Sequence, residues 1–198
     1  MAFEDLVDKA AEKSAKYRDR LIAIYIGLLA VVLAISSVGG GNASKDAMTA
    51  NIEAGNTWAF FQAKNIRRHE VRLKVDDLEL KLATEPDLPE SARQAISDRI
   101  AEYKQAEAHL SSEPETGEGL KELLVKGKEL EARRDLAMRQ DPYFDYGQAL
   151  LQIAIVLASV AIITGGTTIL ALSGVLGVLG GLFTINGFTL AFAVPYIG

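Results

Sequence analysis

The chain has 198 residues, with 21 basic and 26 acidic side chains and a formal net charge of −5. This acidic balance lacks the basic face typical of nucleic-acid binding, so we expect no nucleic-acid partner. The absence of cysteine excludes disulfides, thiolate metal sites and cysteine nucleophiles. The charges are also unevenly placed, because none occurs in residues 21–38 or from Tyr146 to Gly198. A water-soluble helix needs a polar face, so the two uncharged segments indicate a membrane protein.

The first uncharged segment, residues 21–38, is close to the roughly 20 residues that cross a hydrocarbon core. The preceding segment, residues 1–20, carries five basic and five acidic side chains and an apolar helical stripe. A cleaved signal peptide starts with a short basic region instead. We therefore interpret residues 1–20 as an amphipathic segment and 21–38 as an uncleaved transmembrane helix.

The terminal uncharged segment is 53 residues long, which is far too long for one crossing. Two crossings, at residues 147–165 and 167–193, are predicted, with a turn at the adjacent glycines Gly165 and Gly166. Aromatic residues before the second crossing are expected to form an interfacial belt. These are Tyr143, Phe144 and Tyr146.

Basic residues favour one topology. Lys16, Arg18 and Arg20 precede the first crossing, which predicts a cytoplasmic N-terminus and an extracytoplasmic insert at residues 39–146. Arg133, Arg134 and Arg139 favour the opposite orientation, but an insert of this length is largely exempt from the rule.

The insert begins with a predicted helix over residues 43–84, ended by Pro86. The glycines at 39–41 before it form either a hinge or a short loop. Alternating spacings of four and three define a heptad-like seam with small and polar interruptions. Its members are Met48, Ile52, Gly55, Ala59, Gln62, Ile66, His69, Leu73, Asp76 and Leu80.

Two shorter helices, over residues 89–110 and 120–140, are predicted to follow, separated by a loop that contains Pro114. Asp141 and Pro142 are expected to end the last one. Together the two match the length of the first helix. We therefore predict an all-α membrane protein with three transmembrane helices and a long helical-hairpin or coiled-coil-like extramembrane insert. The polar seam favours packing of the insert against copies of itself.

An aromatic cluster on the first insert helix is a candidate oligomer or partner contact, since aromatic residues dominate such contacts. Ordinary internal packing is the competing interpretation. The candidate contact residues are Trp58, Phe61, Gln62 and Lys64.

The third crossing contains Ser173, Gly177 and Gly181 at spacings of four, a small-residue ladder that promotes helix packing in lipid. The packing neighbour is either the second crossing or another subunit. Asn186 is assigned to helix–helix hydrogen bonding, with a pore-lining role as the alternative.

No catalytic, metal or cofactor site is predicted. The two histidines, His69 and His109, have no partners at metal-ligand spacing. Phosphate-binding and nucleophile motifs are also absent from the sequence.

Two stretches resemble a known family. WAFFQAK at residues 58–64 is similar to the W-x-[FY]-[FY]-Q-A-K pattern of a bacterial family of uncharacterised membrane proteins, domain of unknown function 4337. The stretch DPYFDYGQALLQIAIVLAS at residues 141–159 also resembles this family. The resemblance implies a multi-pass inner-membrane location and supplies no activity or cofactor. Family members often carry basic residues between the last two crossings, where this chain has Thr164–Thr167.

We therefore expect a non-enzymatic, membrane-anchored oligomeric scaffold or an accessory subunit of a larger membrane complex. The expected partners are membrane lipid and copies of the chain. The alternative is a channel or transport component with a small-residue-lined transmembrane helix.

Overall fold

The computed structural model describes residues 2–194, with side chains from residue 13, and within this range helix is the only regular secondary structure. Its helices are α1 (Ala2–Thr84), α2 (Glu90–Ser111), α3 (Leu120–Thr164) and α4 (Thr167–Thr189). Three of them, α1, α3 and α4, contain segments long and apolar enough to cross a membrane. The helices form two compact units. The first unit combines residues 1–47 with 135–198, and the second comprises residues 48–134.

Three predicted features agree with the structure, namely the bounds of α2, the start of α3 and the turn between the last two helices. α2 begins and ends within one residue of its predicted bounds, and α3 begins at Leu120 as predicted. The turn between the last two helices lies at Gly165 and Gly166, and Gly165 has a φ of +68°. A left-handed φ is readily available to glycine, so the predicted turn is confirmed.

The glycines at 39–41 are neither a hinge nor a loop, because α1 continues through them without interruption. Gly39 and Gly40 are instead a packing notch for the Phe144 ring of α3. A Cβ on Gly39 would lie 2.5 Å from the Phe144 Cε1 atom and 2.9 Å from Cζ of Phe188. Glycine is therefore needed here for close helix approach.

Pro142 does not end the third insert helix, because α3 runs unbroken from Leu120 to Thr164. A proline inside a helix costs about 3 kcal/mol. The neighbouring Tyr143 and Phe144 are only 3% and 2% exposed. Phe144 packs against Gly39 and Gly187, and Tyr143 lies against the Phe183 ring, so these contacts favour the continuous path of α3 past the proline. Of the three residues of the predicted aromatic belt, Tyr143 and Phe144 are therefore buried inside the unit, and Tyr146 is half exposed.

The core of the first unit lies where α1, α3 and α4 meet. Leu29 of α1 packs with Leu151 and Ala154 of α3, and Leu176 of α4 covers this cluster. Small residues on α4 allow the approach, since a Cβ on Gly180 would lie 2.7 Å from Cγ of Leu151. The three apolar helices therefore form one tightly packed bundle within this unit.

In the second unit, α2 and the first part of α3 lie in succession against α1. Lys104 of α2 contacts Glu79 of α1, while Trp58 of α1 contacts Glu131 of α3. The loop between α2 and α3 approaches α1 at Lys64. Two short helices thus cover one long helix.

The glycine notch yields a paired test. Gly39→Ala is expected to lower the free energy of unfolding by about 1–3 kcal/mol, because the added methyl group overpacks the Phe144 site. Gly41→Ala is the matched control, since a Cβ there meets no atom within 4 Å. Circular dichroism during thermal unfolding in detergent measures both. Equal stability of the two variants would contradict the notch.

Candidate interaction site

The aromatic cluster on α1 is packed inside the second unit. The Trp58 ring meets the Phe61 ring edge-on, with centroids 5.6 Å apart. Its indole N–H donates to Glu131 Oε1 at 3.0 Å. Gly127 of α3 provides the space, because a Cβ there would lie 2.9 Å from the indole ring. The cluster therefore joins α1 to α3.

Lys64 forms a clasp between α1 and the loop that precedes α3. Its ammonium group donates to Glu113 Oε2 at 3.0 Å and to the carbonyl oxygen of Glu118 at 2.6 Å. The Lys64 and Glu113 side chains are 11% and 18% exposed. The hydrogen bond from Lys64 is the main cause of a lowered pKa at Glu113. Partial shielding from water makes this ion pair stronger than an exposed one.

The same loop is held by a second carboxylate. Glu122 accepts hydrogen bonds from the Ser112 hydroxyl at 2.7 Å and from the Glu113 backbone N–H at 3.1 Å. These bonds, the Ser112 hydroxyl first, lower the pKa of Glu122. Glu122 lies in the first turn of α3, where a negative charge also favours the helix dipole.

The four candidate contact residues therefore divide. Trp58, Phe61 and Lys64 are engaged within the chain, and Gln62 is exposed. Their role as an oligomer contact stays a prediction. Of the four side chains, that of Gln62 is accessible to a partner. The structure gives the other three a packing function that the sequence left open.

The heptad-like seam lies on the outer side of α1. All ten of its members are exposed in the second unit, from Met48 to Leu80. The buried face of α1 follows a different register. Its most buried members in this unit are Ala50, Ala54, Thr57, Lys64 and Val75. Alanine content alone does not mark that inner face, because Ala59 and Ala63 of the same helix are exposed.

Small residues on α4 pack against the chain's own helices. Ser173 is fully buried and its hydroxyl donates to the Ala154 carbonyl at 2.7 Å. A Cβ on Gly177 would lie 2.7 Å from the Tyr25 hydroxyl oxygen. Gly181 has no atom within 4 Å of such a Cβ, and the adjacent Gly180 is buried instead. The contact face thus runs through Ser173, Gly177 and Gly180, at spacings of four and then three residues, rather than at a constant spacing of four.

Asn186 fastens the segment that follows α4. Its side-chain amide donates to the Phe192 carbonyl at 2.8 Å and accepts from the Phe192 N–H at 3.1 Å. The Tyr143 hydroxyl accepts from the Val194 N–H at 3.1 Å. Asn186 is fully buried, so its amide serves this internal cap.

At the opposite end of α4, Arg18 of α1 reaches the turn before this helix. Its guanidinium donates to the Gly165 carbonyl at 3.2 Å. Gly165 directly follows the C-terminus of α3. A cation at a helix C-terminus is favourable, because the final carbonyls carry partial negative charge. Arg18 thus places a positive charge at a turn whose own residues, Thr164–Thr167, are uncharged.

The buried polar side chains of the described part of the chain are all hydrogen-bonded. Every buried side-chain nitrogen or oxygen in residues 13–194 that lacks solvent contact has a hydrogen-bond partner. Within the same residues, histidine and carboxylate side chains form no group that could hold a metal ion. The polar side chains therefore join helices and secure loops.

Together these observations define an all-α protein whose three apolar helices pack through small residues. The chain belongs to the domain of unknown function 4337 family, DUF4337, whose model matches residues 18–190. No curated protein matches the chain significantly, and neither does any solved structure.

The clasp predicts a pH-dependent stability. The folded-state pKa of Glu113 lies below its ordinary value, so ionised Glu113 stabilises the second unit at neutral pH. That stabilisation is lost as the pH falls through the lowered pKa and the carboxyl group becomes protonated. Glu113→Gln is expected to reduce stability at pH 7 and to flatten its acid dependence, as measured by denaturant unfolding between pH 7 and pH 3.

Lys64→Met should act like Glu113→Gln, and the double variant should cost less than the sum of the two single changes. Lys126→Met is the control, because Lys126 is exposed in the same unit and lies away from the helix ends. Additive losses would show that Lys64 and Glu113 act independently and would contradict the clasp.

Proposed function

We propose that the protein is a non-enzymatic membrane scaffold, anchored by the apolar parts of α1, α3 and α4, that self-associates or joins a larger membrane complex. The observation that carries this proposal is the internal use of its buried polar groups. Ser173 and Asn186 bond to backbone atoms of the chain itself, and Lys64 joins a helix to a loop. Polar groups that are engaged in internal hydrogen bonds favour a structural role over a catalytic one. The proposal requires no cofactor.

Membrane insertion is supported by charge and packing. The proposed crossing segments are uncharged, and their exposed side chains include large aliphatic residues. Such side chains are unfavourable in water and favourable against lipid. The charged second unit is the proposed extramembrane stalk, a helical hairpin of α1 against α2 and α3. We propose that the apolar segments of the protein are inserted in the bacterial inner membrane.

The contact between Arg18 and Gly165 supports the proposed topology. It brings the segment before the first crossing close to the turn between the last two crossings. Three crossings require these two places to lie on the same side of the membrane. Together with Lys16 and Arg20, Arg18 makes that side basic, which favours the cytoplasm. The stalk would then be extracytoplasmic.

The channel alternative has less support. It relied on Asn186 and on the small residues of α4 as pore-lining groups. Asn186 instead caps the following segment, while Gly177 and Gly180 are covered by side chains of α1 and α3. These contacts favour a packing role for α4.

Single cysteines test the topology directly, because the natural sequence has none. Glu115→Cys, in the exposed loop before α3, should react with a membrane-impermeant maleimide in intact cells. Lys13→Cys should react only after the membrane is permeabilised. The reverse pattern would contradict the proposed orientation. Labelling of both positions in intact cells, or of neither, would contradict a membrane crossing between them.

Ion flux separates the two candidate functions. Liposomes that contain the purified protein should show no flux above that of protein-free liposomes. Asn186→Leu should lower thermal stability without creating or removing flux, because the variant loses two hydrogen bonds made by a buried side chain. Flux that Asn186→Leu alters would support the channel and refute the scaffold.

A further inference from the structure

The outer side of α1 in the second unit carries an apolar stripe that no other part of this unit covers. We call it the outer stripe, defined by the ten members of the heptad-like seam from Met48 to Leu80. Its aliphatic members are more than half exposed. They are Met48 at 67%, Ile52 at 52%, Ile66 at 59%, Leu73 at 63% and Leu80 at 62%.

The stripe follows the heptad repeat of a coiled coil. Positions a are Ile52, Ala59, Ile66, Leu73 and Leu80, and all five are apolar. The face that packs against α2 and α3 corresponds to positions c and f, and it lies about 160° around the helix at 100° per residue. Packing within the unit therefore leaves the a and d positions free for another helix.

We propose that the outer stripe pairs with the same stripe of a second copy of this chain, as a parallel two-stranded coiled coil. This inference rests on the proposed function, since insertion in one membrane with one orientation makes the two stalks parallel. A partner helix must repeat every 3.5 residues over the same length. An identical, identically anchored copy presents that repeat in register.

The flanking charges are compatible with this parallel register. In a parallel coiled coil, position g faces position e of the next heptad on the other helix. Arg72 at g would face Asp77 of the second copy, which is an attractive pair. The remaining g-to-e pairs combine no two charges of the same sign, because each contains an uncharged residue. Arg72 also contacts Glu107 within its own chain, and its side chain is 60% exposed.

The polar d positions limit the strength of the pairing. Gln62, His69 and Asp76 replace aliphatic residues at d, and Asp76 would face the same carboxylate of the second copy, so these positions lower the stability of the pair. The stripe is about 50 Å long, and about 10 Å of width gives roughly 1,000 Å² buried in the pair. That area lies at the low end for a specific interface. Anchorage in one membrane raises the effective concentration and favours the pair.

Disulfide formation between single cysteines tests the register. Leu73→Cys places a thiol at position a, where the two Cβ atoms of a parallel pair lie within disulfide range. Lys81→Cys is the control, because Lys81 is exposed on the same helix at position b, which faces away from the seam. In membranes at low protein density, mild oxidation should give about tenfold more covalent dimer for Leu73→Cys.

A second variant separates pairing from folding. Ile66→Glu combined with Leu73→Glu should leave the helix content unchanged, because both side chains are exposed within the single chain. The same variant should abolish chemical crosslinking between copies. Loss of crosslinking with an unchanged monomer supports the seam, and retained crosslinking overturns it.

The outcomes distinguish this inference from the proposed function. Equal disulfide yield at Leu73→Cys and Lys81→Cys indicates random collision and overturns the seam. Dimers that form in lipid without a disulfide at Leu73→Cys also overturn the seam. In that case the proposed scaffold function stands, with the copies joined through another surface. A protein that is not inserted in the membrane refutes the proposed function itself.

Discussion

The structure of the first unit depends on one close approach, in which the Phe144 ring of α3 lies against glycines of α1 and α4. A Cβ on Gly39 or Gly187 would lie within 3.0 Å of this ring. Dispersion forces act only at contact distance, and lipid tails are as apolar as the side chains. Helices in a membrane therefore gain from close fit, which the glycines permit. Phe144 lies two residues after Pro142, within the continuous α3.

The second unit is joined differently, through an ion pair, a tryptophan and a loop-fastening carboxylate. These groups are partly buried, and each has a hydrogen-bond partner within the unit. Their effect is to fix which side of α1 faces inward. The outer stripe is the consequence, because one helix covered along one side must expose the other. The proposed assembly uses this remaining side.

Local sequence signals predicted the elements well where a residue type determines the backbone. The bounds of α2, the start of α3 and the turn at Gly165 follow from proline and glycine chemistry. The path through Pro142 and the role of Gly39 depend on Phe144, which lies about a hundred residues from that glycine. Periodicity found the outer stripe but did not show which face of α1 is covered internally. The shift from Gly181 to Gly180 likewise required the neighbouring helices.

The central claim is that the protein is a self-associating membrane scaffold, and its mass in native lipid tests this most directly. The chain has a mass of 21.3 kDa. Native mass spectrometry of the protein released from lipid nanodiscs, formed from membranes without prior detergent, should give twice this mass or an even multiple of it. A species of 21.3 kDa alone, at all protein densities, would contradict the account.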